Sequence, residues 1–148
     1  MSYTAENWIR NGKEVKVPKK YRKIGKDAFI ENLSYCNIAP SSVLLHRKIL
    51  DDVGLFDETL WACEDYELWL RILMQFDAGL INEALIIKHA GHENQLGFSK
   101  GLETLRIKAL EKLIISCNNA TKRSLIQETL EKKQKKQYNS KIEHSYKD

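Results

Sequence analysis

From Glu64 to Phe76 the apolar residues Leu68, Trp69, Ile72, Leu73 and Phe76 recur at spacings of three and four. That period puts one continuous apolar stripe on an α-helix, and such a stripe has to be buried against a second layer. The helix opens on Glu64 and Asp65, directly after Cys63, so an acid pair sits where a buried helix begins. Two readings of the pair are open. Acids in the first turn of a helix stabilise it through its unpaired N–H groups and its dipole, with no chemistry involved. The same position also holds a carboxylate at the edge of a cleft.

The rest of the chain supplies both β and α layers. Asn11-Gly12 between Trp8-Ile9-Arg10 and Lys13-Glu14-Val15 is a hairpin signal, because both central residues of a type I′ turn need positive φ. Pro18 to Lys26 is basic and polar and reads as an exposed connection. Asp27 is placed to cap a short helix carrying Phe29, Ile30 and Leu33. Val43 to Leu45 reads as a buried strand introduced by Pro40. A short helix from His46 to Val53 should follow, with Gly54 as its left-handed terminator. Ala78–Ile81 and Ala84–Ile87 read as two short strands separated by Asn82-Glu83. A polar loop with Gly91 and Gly97 leads to an amphipathic helix bearing Leu102, Leu105, Ala109, Leu110, Leu113 and Ile114. A further helix starts near Ala120, with a frayed end from Tyr138.

With 148 residues, one domain with a single core is expected, and 43% apolar with 30% charged residues argues against wholesale disorder. Cys36, Cys63 and Cys117 are odd in number and form no Cys-x-x-Cys pair, which indicates neither a disulfide framework nor a zinc site and points to a reducing cytoplasm. No apolar run approaches the roughly 20 residues that cross a bilayer. The net charge of +4 is modest, and the Lys132–Lys136 cluster reads first as a solvated face. It is also a candidate for contact with the inner face of a membrane. Nucleic-acid binding is not expected, since aromatic residues do not interleave with the basic cluster.

Five segments in order carry a family resemblance: Trp8-Ile9-Arg10-Asn11-Gly12-Lys13, Pro40-Ser41-Ser42-Val43, Gly54-Leu55-Phe56-Asp57-Glu58, Cys63 to Arg71, and Gly91-His92-Glu93-Asn94-Gln95-Leu96. Together they resemble the C-terminal half of a family 2 glycosyltransferase with the GT-A fold, over about Ser2 to Leu113. The resemblance implies an α/β class: a partial GT-A-like fold with a short mixed sheet, packed helices and a C-terminal helical extension. It divides the chain into an acceptor-side portion, 1–118, and a basic helical tail, 119–148. The nucleotide-binding half of the family, with its Asp-x-Asp motif, has no counterpart in this sequence, and Asp51-Asp52 lies in the wrong place. The resemblance therefore implies a truncated, split or separately encoded C-terminal portion that meets a donor-binding half or self-associates.

On that resemblance Asp65 is the general base, with Glu64 beside it. It would take the proton of an acceptor hydroxyl as the oxygen attacks the anomeric carbon of a nucleotide-sugar donor, inverting that carbon. The donor and a glycan or glycoconjugate acceptor are the implied substrates. Trp61 offers a face for a sugar ring and serves equally as a core anchor. Asp57 shapes an acceptor pocket or a turn, and Ser41 and Ser42 line the donor side or simply enter a strand. His92 matches a family position that reaches the metal or diphosphate. Mg or Mn is expected for the full-length family, held mostly by carboxylates outside this chain, so binding by this portion alone is not expected. Trp8, Trp69 and Arg71 read as packing and surface pairing. The competing reading is a non-catalytic remnant or subunit that binds a glycan acceptor or a protein partner, with an apolar surface where sheet strands stay open.

Overall fold

The computed structural model describes residues 1–91 and 101–145. Among them the architecture is mixed α/β, a four-stranded mixed sheet packed with five α-helices. Strand β1 (Ser2–Arg10) is its centre. It turns through Asn11 (φ 50°) and Gly12 (φ 74°) into β2 (Lys13–Val15), pairing Arg10 with Lys13 and Trp8 with Val15. This is the expected hairpin. The same side of β1 also pairs, at Ser2 and Tyr3, with β3 (Val43–Leu44).

The other side of β1 runs parallel to β4 (Gly79–His89). Two separate strands were expected here, and one continuous strand is found. Eight residues of β1 are matched by all eleven of β4. The surplus is absorbed in bulges where Thr4 faces Ile81, Ala5 faces Ala84 and Glu6 faces Ile86. Asn82 and Glu83 therefore bulge out of the ladder and do not end it. Among the described residues no strand pairs with the outer edge of β4, and Ile81, Leu85 and Ile87 stand exposed there.

The segment expected as a buried strand at Val43–Leu45 is also corrected. Pro40–Ser42 forms a 3₁₀ turn and only two residues of strand follow, with Leu44 76% exposed. Pairing only with the first residues of β1, β3 sits at the sheet's margin, where the outward side chain has nothing to cover it.

The helices follow the sequence more closely. Asp27 caps α1 (Ala28–Ser34), its carboxylate accepting from Ile30 N–H at 3.0 Å. Helix α2 (Arg47–Val53) ends at Gly54 with φ 88° and ψ 175°. That is an extended, glycine-only conformation and not the left-handed helical cap that was expected. Helix α3 (Glu64–Leu73) runs through the centre of the core, with Tyr66, Leu68, Leu70 and Ile72 shielded from solvent. Burying each such side chain is worth about 1.5 to 3 kcal/mol. Two polar tips on α3 are satisfied inside: Tyr66 Oη donates to Leu33 O, and Trp69 Nε1 donates to Ile38 O at 3.0 Å.

Helices α4 (Leu102–Ser116) and α5 (Ala120–Ser145) pack on each other and on this core. Leu110 and Leu113 of α4 and Ile126 and Leu130 of α5 join the same buried cluster. One expectation for the tail changes. The tail is helical as far as Ser145, the last residue described, and Lys133 of the basic cluster is buried and not on a solvated face. Lys133 Nζ meets Glu103 at 3.0 Å and donates to Ser34 O at 3.1 Å, so it ties α5 to α4 and α1. Among the described residues no helix is long and apolar enough to cross a membrane.

Candidate functional site

A cleft of about 570 Å³ opens between the sheet and the starts of α3 and α4. The sheet lends it Trp8, Arg10 and Lys88, with Ala90 just past the end of β4, the connection after β2 lends Lys20 and Tyr21, and α4 lends Leu102 and Arg106. Its deep wall is Cys36 with Cys63, Glu64 and Asp65.

Cys63 sets the geometry of this wall. It holds a left-handed conformation (φ 62°) immediately before α3, and its thiol lies 3.7 Å from Leu102 O at the start of α4. A non-glycine residue in that region is uncommon and is kept there by its surroundings. The consequence is that α3 begins with no side-chain cap, and Asp65, one residue inside it, is free to face the cleft.

Asp65 is half-buried, and its Oδ1 accepts from the N–H of Tyr66 at 2.7 Å. Burial raises its proton affinity above the ordinary carboxylate range. The Tyr66 N–H, the neighbouring Cys36 thiol and the Arg106 charge pull the other way without cancelling it, and Glu64 adds to the rise. A helix start by itself favours the ionised form; desolvation outweighs it here. The Cys36 thiol, pushed well up by burial and by Asp65, is a neutral hydrogen-bonding neighbour and not a nucleophile.

Of the residues singled out from sequence, Glu64 and Asp65 line this cleft, and four others are placed elsewhere. Trp61 is 59% exposed and is neither a core anchor nor part of the cleft wall. Asp57 accepts from Thr59 N–H and Oγ1 at 3.0 and 2.6 Å and pairs with Lys112, which fastens its turn to α4. Ser42 Oγ donates to Ala39 O at 2.8 Å within the 3₁₀ turn, and Ser41 is exposed beside it. These three are turn-forming residues, and the structure does not bring them to Asp65. His92 lies outside the described residues. Among the described residues no group of three or more His, Cys, Asp or Glu side chains converges as metal ligands would. The donor set at Glu64 and Asp65, faced by Arg10, Lys20, Lys88 and Arg106, does not suit a divalent cation held by this chain alone.

Tyr21, Lys20, Lys88 and Arg106 carry no local signal of a site in the sequence, Cys36 reads there only as an unpaired cysteine, and Trp8 reads as packing. Trp8 is indeed 6% exposed, yet its ring forms part of the cleft and lies 5.5 Å from that of Tyr21. Only the closing of β1 on β4 and of α4 on α3 brings these residues together, and no local spacing encodes it. Comparison of the chain with protein-family models, with curated proteins and with solved structures gives no match.

Proposed function

We propose that this chain is the acceptor-side, base-bearing portion of an inverting family 2 glycosyltransferase of GT-A type, acting in polysaccharide or glycoconjugate assembly on the cytoplasmic side of a membrane. The observation that carries the reading is the convergence of three motifs far apart in sequence. Trp8 and Arg10, then Cys63 to Asp65, line one cleft, and Gly91 adjoins it through Arg10, whose Nε lies 2.9 Å from where a Gly91 Cβ would stand.

In this reading an acceptor hydroxyl sits against Asp65. Its oxygen attacks the anomeric carbon of the donor sugar, the bond from that carbon to the nucleoside diphosphate breaks, and Asp65 takes the hydroxyl proton. Attack opposite the leaving group inverts the configuration. A carboxylate of raised proton affinity, half-shielded from water, is a better acceptor for that proton than an exposed one. Tyr66 N–H fixes one carboxylate oxygen, and the Cys36 thiol is the second neighbour beside which the acceptor hydroxyl would sit. The donor and any metal on its diphosphate are held by another half.

The test combines the purified chain with a donor-binding, Asp-x-Asp-containing half and measures nucleotide release from a nucleotide sugar. Asp65→Asn should lower the rate by about 10² to 10⁴. An undiminished rate removes Asp65 from the role, and glycan binding without transfer by the wild-type pair would favour a binding subunit.

A further inference from the structure

The cleft holds more positive charge than a proton acceptor needs. Four cations, Arg10, Lys20, Lys88 and Arg106, face two carboxylates, Glu64 and Asp65. They are not equivalent. Arg106 is paired with Glu103 at 3.2 Å. Lys88 reaches Glu6 only at 3.9 Å, and Glu6 is already committed to Lys23 at 2.6 Å and to Trp8 Nε1 at 3.1 Å. Among the described residues Arg10 and Lys20 form no salt bridge, whereas Arg71, Lys112 and Lys133 each have a carboxylate partner. Cations left without partners at a concave mouth focus a field that draws anions, and guanidinium and ammonium groups match carboxylate and phosphate oxygens.

The aromatic residues tell where such an anion would sit. The rings of Trp8 and Tyr21 are tilted by 32° to each other. Lys88 Nζ stands 4.9 Å from the centre of the Trp8 ring, and Lys20 Nζ 4.9 Å from that of Tyr21. Each ammonium already covers a ring face and Trp8 is buried, so an anion drawn to Lys20 arrives at the mouth beside the edge of Tyr21, and the sugar that carries it lies along that edge. A neutral glycan covering the same surface would strip water from these cations and give nothing back. A nucleoside diphosphate is the competing anion, and UDP in the test below separates it from an acidic saccharide.

We propose that the cleft selects an acidic saccharide, a glycan unit whose carboxylate or phosphate group is held by Arg10 and Lys20 at the mouth while its ring lies beside Tyr21. This names the acceptor class of the transfer reading above and rests on that reading for the part Asp65 plays; the binding itself does not depend on catalysis.

Calorimetry on the full chain tests it with trigalacturonate and galactose 6-phosphate, against galactotriose, galactose, inorganic phosphate and UDP. At least one acidic saccharide should bind about tenfold more tightly than its neutral counterpart, an advantage that shrinks as salt is added. The carboxylate and phosphate arms show which acid is preferred. Arg10→Gln with Lys20→Gln should remove the advantage at an unchanged melting temperature. Lys20→Gln alone, on an exposed turn, gives a second variant with no folding burden. Asp65→Asn should retain the advantage, so loss of transfer and loss of acid selectivity are read separately. Equal affinity for acidic and neutral saccharides, no binding of any of them, or binding of inorganic phosphate or UDP as tight as that of the acidic saccharides would overturn the proposal.

Discussion

Arg71 grips Glu67 with both ends of its fork: Nε lies 2.9 Å from one carboxylate oxygen and Nη2 2.7 Å from the other. Glu67 is 5% exposed on the core side of α3. The same guanidinium donates to Val53 O and, at 2.8 Å, to Leu55 O, so it also fastens the end of α2 and the turn after it. A bidentate pair with two further donors placed on carbonyls is the arrangement in which a buried charge is tolerated. Arg71→Ala should cost about 3 kcal/mol or more, because it leaves the Glu67 side chain buried and unpaired. Arg71→Lys should recover only part of that, since a point charge cannot serve both oxygens and two carbonyls. Urea unfolding midpoints at a constant slope are the measurement.

Asp65 gives a stability test that separates a helix cap from a site residue. Its folded-state proton affinity is raised, with burial the largest cause. A group whose pKa rises on folding supports the fold while it is protonated, and that support is lost as pH rises through the folded-state pKa. At neutral pH the ionised Asp65 therefore weighs against the folded state. Asp65→Asn should raise the melting temperature at pH 7, with the gain disappearing at pH values below the ordinary aspartate pKa. A cap would behave in the opposite way, and a lower melting temperature for Asp65→Asn at pH 7 would return Asp65 to that role.

Asp57 has the opposite sign. The hydrogen bond from Lys112 and those from Thr59 lower its pKa to about 2. A depressed carboxylate contributes stability above its unfolded pKa, and that contribution fades as pH falls from the ordinary aspartate range toward the folded value. Lys112 is half-exposed, so solvent screens the pair, and Asp57→Asn should cost less than about 1 kcal/mol at neutral pH. The cost should vanish near pH 2, and transfer by the mixed halves should be unaffected. Thermal melts across pH, run beside the nucleotide-release measurement, check both.

How much of this was legible beforehand follows the range of each interaction. The Asn11-Gly12 turn, the Asp27 cap and the apolar stripe of α3 are local, and each is readable from a few adjacent residues. The bulged continuity of β4 was not, because Asn82-Glu83 looks like a turn until β1 supplies a parallel partner. Lys133 was misplaced for a related reason: its carboxylate lies thirty residues away on α4. Within the site, the acid pair could be found from the helix pattern. The thiol, aromatic and cationic residues around Asp65 come from five separate segments, and only tertiary packing assembles them.

The outer edge of β4 has a consequence for handling the protein. Leu85 is 61% exposed and Ile87 59%, on a long strand that, among the described residues, has backbone partners on one side only. An apolar edge of that length is a template for pairing with other chains, and natural sheets commonly blunt such edges with lysine. Leu85→Lys should lower concentration-dependent association, read by sedimentation velocity or light scattering. Because the side chain it replaces is mostly in solvent, the unfolding midpoint should move by no more than about 0.5 kcal/mol. Ile86, the half-buried neighbour between them, is the control: a charge there should lower stability, since it would be forced toward the packed side of the sheet. Equal association by wild type and Leu85→Lys would show that the edge is already protected.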